Sequence, residues 1–285
     1  MIAGPRQGGT CGTLGAMCGR YAASRSPDDL VEEFDVEQVA ERQPRRPAAD
    51  QADAERQLPP SHPPPNFNVA PTDPVPAILT RPPRGQRDAP AVRQLAVLRW
   101  GLVPSWAKDP AIGSRLINAR TETVADKPAF RKAFARRRCL LPADGYYEWY
   151  ETQQRNAKGK PVKQPFFIHP RGGGSLAMAG LYEIWRDRTR PDDDPDAYRW
   201  TCTVLTTSAE DDLGHLHDRM PLLVEPDRWG AWLDPEQQAS GPLLDLLVPA
   251  APGRLEAYPV STEVNSVRNN GAHLIDPLPP EEVAR

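Results

Sequence analysis

The sequence predicts an α+β fold: a mostly antiparallel, barrel-like β-sheet core with short peripheral helices, in a single domain. Three observations carry this expectation. Short apolar runs with strand-like alternation recur through the 285 residues, and the helical patterns between them are few and brief. Strands and helices do not alternate regularly, and no G-x-G-x-x-G run opens a helix, which argues against a doubly wound nucleotide fold. The hydrophobic share of 39% in a chain of this length is enough for a proper core.

Taken in order, residues 1–16 are small and polar and are expected to be disordered. Residues 18–24 read as extended. Ser26 is then a helix N-cap, with Pro27 at the first helical position, Asp28 and Asp29 at the positive end of the dipole, and Leu30, Val31 and Phe34 on one apolar face. Residues 40–65 are proline-rich and apolar-poor and read as a flexible insertion. Val75–Thr80 and Val92–Trp100 are expected strands. Trp100–Ala107 is a shaped loop, and Asp126 is expected to cap a helix bearing Phe130 and Phe134. Cys139–Pro142, Phe166–His169, Leu176–Ile184, Thr201–Thr207 and Leu255–Val260 complete the strands. Residues 152–164 read as a polar hairpin loop, 186–199 as a second charged insertion and 276–285 as a tail. Trp229, Trp232 and Leu233 mark a small amphipathic helix.

Composition narrows the functions. Net charge is −3, so no global basic field advertises a polyanion partner, yet Arg99–Arg138 holds ten Lys/Arg against three Asp/Glu. The four cysteines (Cys11, Cys18, Cys139 and Cys202) form no C-x-x-C pair and no His cluster accompanies them, so neither a metal site nor a cofactor is expected. Residues 1–16 have no apolar run of the kind a secretory signal needs, and no stretch reaches membrane-span length. A cytoplasmic, nucleoid-associated monomer with reduced thiols is the expectation.

Met17-Cys18 stands apart. Were translation to begin at Met17, or the chain to be cut after it, Cys18 would carry a free α-amine beside its thiol. Further motifs follow in order: Cys-Gly-Arg-Tyr at 18–21, Asn-x-Ala-Pro-Thr at 68–72, Trp-Gly-Leu-x-Pro-x-Trp at 100–106, Asn-Ala-Arg-x-Glu-Thr at 118–123, Gly-Tyr-Tyr-Glu-Trp at 145–149 and His-x-Arg-Met-Pro at 217–221. Together they resemble the SOS response-associated peptidase (SRAP) family, from Met17 to about Pro259. The resemblance implies a protein that shields abasic sites in single-stranded DNA by crosslinking to them. It also implies that Met17 is the initiator, removed because Cys is small, and that residues 1–16 are an extension or a mis-assigned start.

An α-amine has a pKa of roughly 7.7–8.0, against about 10.4 for Lys, so part of it is neutral near pH 7. It can add to the aldehyde of a ring-opened abasic sugar and form a Schiff base. The thiol can then close a five-membered thiazolidine, which the resemblance implies is the stable crosslink. By the same resemblance, Glu148 and His217 serve proton transfer and Asn118 orients the amine or the sugar. Without it, Cys18 reads as a buried small hydrophobe, Glu148 as a strand residue, and Asn118, His215 and His217 as loop residues. Arg20, Arg120 and Arg219 are candidate phosphate ligands, against a reading as ordinary surface charge. Trp100 and Trp106 read equally as base-stacking groups and as core. Asn66 and Pro71 read as architectural. Two other functions fit the residues: a thiol peptidase using Cys18, His217 and Glu148 on the bond before Cys18, with a possible lyase step belonging to the first reading; and a non-covalent single-stranded DNA binder.

Overall fold

The computed structural model describes residues 18–40, 62–83, 86, 88–191, 194, 197–209, 216–249 and 251–284. The expected disorder of residues 1–16, Cys11, Met17, His215 and nearly all of the 40–65 insertion lie outside the described residues.

Five strands close a barrel: β4 (Pro74–Arg81), β5 (Val92–Trp100), β7 (Arg138–Ala143), β10 (Leu176–Arg186) and β11 (Tyr198–Ser208). Neighbours run antiparallel in the order β11-β10-β7-β4-β5, and a parallel pairing of Thr201–Cys202 with Arg99–Trp100 joins the two ends. The closing pair is short, and β2 (Gln38–Val39) runs parallel to β5 at Gln94–Leu95 and covers part of its remaining side. The two-residue alternation is visible in the packing. Val75, Ala77 and Leu79 of β4, Cys139 and Leu141 of β7, Met178 and Tyr182 of β10, and Cys202 and Val204 of β11 share one cluster. Ile78, Leu140, Ala179, Leu181 and Leu205 point the other way into a second.

That outer face is covered by helices: α1 (Pro27–Glu33), α2 (Arg131–Arg136), α3 (Trp229–Leu233) and α4 (Ser240–Asp245). Leu30, Phe34, Phe134, Trp229, Trp232 and Leu243 provide their apolar contacts. The start of α1 follows the expectation: the Ser26 hydroxyl accepts from the Asp29 N–H and Asp29 returns the bond to the Ser26 N–H, a reciprocal capping box with Pro27 at the first position. The second helix differs. It begins only at Arg131, after a run of turns, with Phe130 rather than Asp126 at its cap position.

A second sheet has the order β13 (Leu255–Pro259), β9 (Pro161–Pro170), β8 (Gly145–Arg155), β1 (Tyr21–Ala23), β3 (Asn66–Val69). One face, through Tyr21, Val69, Tyr146 and Ile168, joins the barrel cluster. Gly145 is required where β8 meets β9, since a Cβ there would lie 2.5 Å from the Ile168 oxygen. The expected hairpin loop at 152–164 is mostly strand, with Thr152 buried and its hydroxyl donating to the Val162 carbonyl. The tail is also packed: Pro277 bridges Val260, and the Ala284 N–H donates to Gln164. The described ends of the second charged insertion, Arg186 and Tyr198–Arg199, belong to β10 and β11. Two short strands flank the far end of β11. β6 (Asn118–Arg120) runs parallel to it at Val204–Thr206, and β12 (Arg219–Pro221) pairs antiparallel with Thr206–Ser208.

Candidate functional site

Cys18 sits three residues before the start of β1, and Glu148 lies on the neighbouring strand β8, whose Tyr146 pairs with Tyr21. The strand register therefore brings together two residues 130 positions apart. The Cys18 N–H and the Cys18 thiol both donate to the same atom, Glu148 Oε1, at 3.1 and 3.0 Å. Both residues are 4% exposed. Burial raises the Glu148 carboxyl above its ordinary range, only partly offset by the bonds from Cys18 and by nearby His217. Burial and the adjacent Glu148 push the Cys18 thiol well up as well, so the sulfur is held as a thiol. Cys18 also adopts φ 42°, in the left-handed region, a conformation that costs a non-glycine residue about 1–3 kcal/mol.

The third wall is β12 and the residues before it. The thiol lies 3.9 Å from the Arg219 carbonyl, and the Arg219 N–H donates to His217 Nδ1 at 3.0 Å. That nitrogen is also 3.1 Å from Asp218 Oδ1, a contact suited to the charged ring. The neutral ring accepts from the backbone and keeps its proton on Nε2; the charged ring can turn its Nδ1–H to Asp218. His217 makes no hydrogen bond to the Cys18 sulfur, so the thiolate–imidazolium pair of a thiol protease is not formed here.

Asn118 and Arg120 occupy β6 on the other flank of β11, with Asn118 half-buried and Arg120 exposed. The two tryptophans of the Trp100–Trp106 motif part company. Trp100 is fully buried, edge-on to Tyr21 at 5.1 Å, with its Nε1–H on the Ile117 carbonyl. It is core, and its reading as a stacking group is corrected by that burial. Trp106 is 52% exposed. Gly101, at φ 123° and pressed against Gly113, shapes the loop that separates them.

A family model described as SOS response associated peptidase (SRAP) matches residues 17–267. The chain belongs to the SRAP family. It is similar to the abasic site processing protein YoaM of Bacillus subtilis, 35% identical over 261 residues, which covers 91% of this chain and 98% of that protein. It is similar also to the abasic site processing protein HMCES of Gallus gallus, 33% identical over 75% of this chain and 66% of that protein. Among solved structures, a protein from Bordetella bronchiseptica shares the fold at a TM-score of 0.59 and 23% identity, over 86% of this chain and 100% of that one.

Three residues of this SRAP chain matter more than their sequence context indicated. Asn68, not Asn66, is the buried amide of the Asn-x-Ala-Pro-Thr motif: its oxygen accepts from Arg20 at 2.6 Å and its Nδ2 faces the carbonyls of Val264, Ser266 and Asn269. The Arg20 guanidinium also donates to the Val264 carbonyl and lies over the Trp149 ring at 5.8 Å. It is a half-buried group built into the sheet edge rather than ordinary surface charge. Glu122 takes both terminal nitrogens of Arg219, which is 11% exposed, so the surface-charge reading of Arg219 also fails. Asp218 was hidden as a neighbour of His217. The motif order contained the signal for Asn68 and Glu122, but their partners lie across the sheet. Among the described residues no group of His, Cys, Asp or Glu is placed to hold a metal ion, and no helix is long and apolar enough to cross a membrane.

Proposed function

We propose that this SRAP protein processes abasic sites in single-stranded DNA by crosslinking to the ring-opened sugar through Cys18. The observation that carries the reading is the shared acceptor: the nitrogen and sulfur of Cys18 both point their hydrogens at one oxygen of a buried, raised-pKa carboxyl. Those are the two atoms a thiazolidine ring would contain. The names of the relatives from Bacillus subtilis and Gallus gallus point the same way.

The chemistry balances without oxidant or cofactor. In a form that begins at Cys18, the neutral α-amine adds to the C1′ aldehyde and gives a carbinolamine. Glu148 donates its proton to the leaving hydroxyl, one water departs, and the nitrogen keeps its hydrogen as an iminium (a protonated Schiff base). The sulfur then adds to the iminium carbon. The thiol proton passes to the Glu148 carboxylate and restores the acid, and the nitrogen ends as a neutral secondary amine in the ring. A sulfur held as a thiol suits this order, because the amine must attack first. His217, whose charge Glu148 feels, supplies a second proton route, and Asn118 is the amide donor at the sugar. Arg120 and Trp106, both exposed, offer a phosphate contact and a stacking face, and Arg20 is held on the second sheet by Asn68 of β3. The Schiff base would also permit strand cleavage by β-elimination, a lyase activity secondary to the crosslink.

The reading needs a free Cys18 amine, through initiation at Met17 and methionine removal or through cleavage of the Met17–Cys18 bond. The strained φ of Cys18 supports self-processing as a companion peptidase activity, because cutting that bond releases the torsion. The test is a denaturing gel of the Cys18-start protein with an abasic single-stranded oligonucleotide. A covalent band absent with Cys18→Ala is expected. No band, or one unchanged in Cys18→Ala, would refute the proposal and leave the non-covalent binder.

A further inference from the structure

We propose that Glu122 is a positioning residue: by gripping the Arg219 guanidinium it fixes the stretch of main chain that orients the His217 ring and caps the Cys18 thiol. Arg219 thereby acts as an internal clamp. This rests on the abasic-site reading only for its kinetic consequence.

Arg219 makes three kinds of contact in three directions. Its side chain crosses β11 to Glu122, with both terminal nitrogens on the carboxylate, and its Nη2 also donates to the Thr206 carbonyl at 2.6 Å. Its N–H holds His217 Nδ1, and its carbonyl faces the Cys18 sulfur. A movement of this one residue would therefore disturb the histidine and the thiol together. β12 itself is short: its ladder with β11 has three residue pairs, from Thr206↔Pro221 to Ser208↔Arg219, and backbone bonds of Asp218 and Leu222 to Ala209, Leu205 and Ala179 hold its two ends.

Glu122 lies in the 3₁₀ turn after β6, on the opposite flank of β11. The ion pair thus staples β6 to β12 over the strand between them. A two-pronged arginine–carboxylate contact fixes orientation as well as distance. The pair is asymmetric in exposure, with Glu122 at 49% and Arg219 at 11%. The cation is thus enclosed while its partner is open to water.

The experiment compares wild type, Glu122→Gln and Glu122→Asp, all starting at Cys18. With saturating abasic single-stranded DNA, Glu122→Gln should form adduct roughly 10- to 100-fold more slowly, the scale of loss from a small misplacement of reacting groups. Glu122→Asp should recover part of the rate. Affinity for intact single-stranded DNA and its salt dependence should stay at wild-type values. Independently of DNA, ¹⁵N spectra of the neutral His217 ring should show the Nε2–H tautomer in wild type and a tautomer mixture in Glu122→Gln. Wild-type rate and an unchanged His217 spectrum in Glu122→Gln would overturn the proposal. So would tighter DNA binding with a salt slope steeper by about one, which would mean that Glu122 competes with phosphate for Arg219. If wild type itself forms no adduct, the abasic-site reading fails, and the His217 spectrum still decides the clamp.

Discussion

Two buried glutamates, on different sheets, show how surroundings divide structural from chemical work. Glu183, on β10, is 3% exposed and meets the Arg137 guanidinium at 2.8 Å and the Ile184 N–H at 2.9 Å. Glu148, on β8, is 4% exposed and has no basic side chain bonded to it; its partners are the nitrogen and sulfur of Cys18. Burial is nearly equal. The first carboxylate has a countercharge, so its ionised form is compensated. The second bears the cost of burial, which raises its pKa and leaves it able to carry a proton. A buried acid without a cation is expensive for folding, and here it lies beside Cys18, whose backbone is strained.

The sharpest way to break this contrast is to neutralise each carboxylate in turn. Glu148→Gln should slow adduct formation by about 100-fold or more, the scale of lost general acid–base catalysis, measured in a single-turnover gel assay. Glu183→Gln should leave that rate unchanged. Stability should reverse the order. Glu183→Gln strips the partner from Arg137, which is a third exposed and partly rehydrated, and should cost about 1–3 kcal/mol in denaturant unfolding. Glu148→Gln should stabilise the protein.

The pH dependence sharpens the same point. Because the folded-state pKa of Glu148 is raised, its contribution to stability is full below the unfolded value and is lost as pH rises through the folded value. The stability advantage of Glu148→Gln over wild type should therefore grow with rising pH across that window. Denaturation curves at several pH values check this, and an advantage that shrinks with pH would contradict it.

The tryptophans of one motif repeat the contrast on a smaller scale. Trp100→Ala should cost about 3–5 kcal/mol of stability, because it empties a fully buried site. Trp106→Ala should leave folding intact and weaken single-stranded DNA binding by about 1–3 kcal/mol, read by titration at fixed salt.

Much of this was legible in the chain. β5 falls at Val92–Trp100 and the Ser26 cap forms as its residue types require, because local chemistry decides both. The Cys18, Glu148 and His217 positions follow from ordered motifs. What the chain hides is pairing at long range. Barrel closure depends on Thr201–Cys202 meeting Arg99–Trp100, and no local pattern announces it. α2 starts at Arg131 and not near Asp126, because the turns before Arg131 override a good capping residue. The roles of Asn68 and Glu122 became visible only once Arg20 and Arg219 were found across the sheet.

The most direct test of the central claim is the intact mass of the adduct. Protein beginning at Cys18, incubated with an abasic single-stranded oligonucleotide without reductant, should gain the mass of the oligonucleotide less one water and survive denaturation. Cys18→Ser should fail to give that lasting species. A persistent adduct of equal yield from Cys18→Ser, or no adduct from the Cys18-start protein, would contradict the proposed thiazolidine.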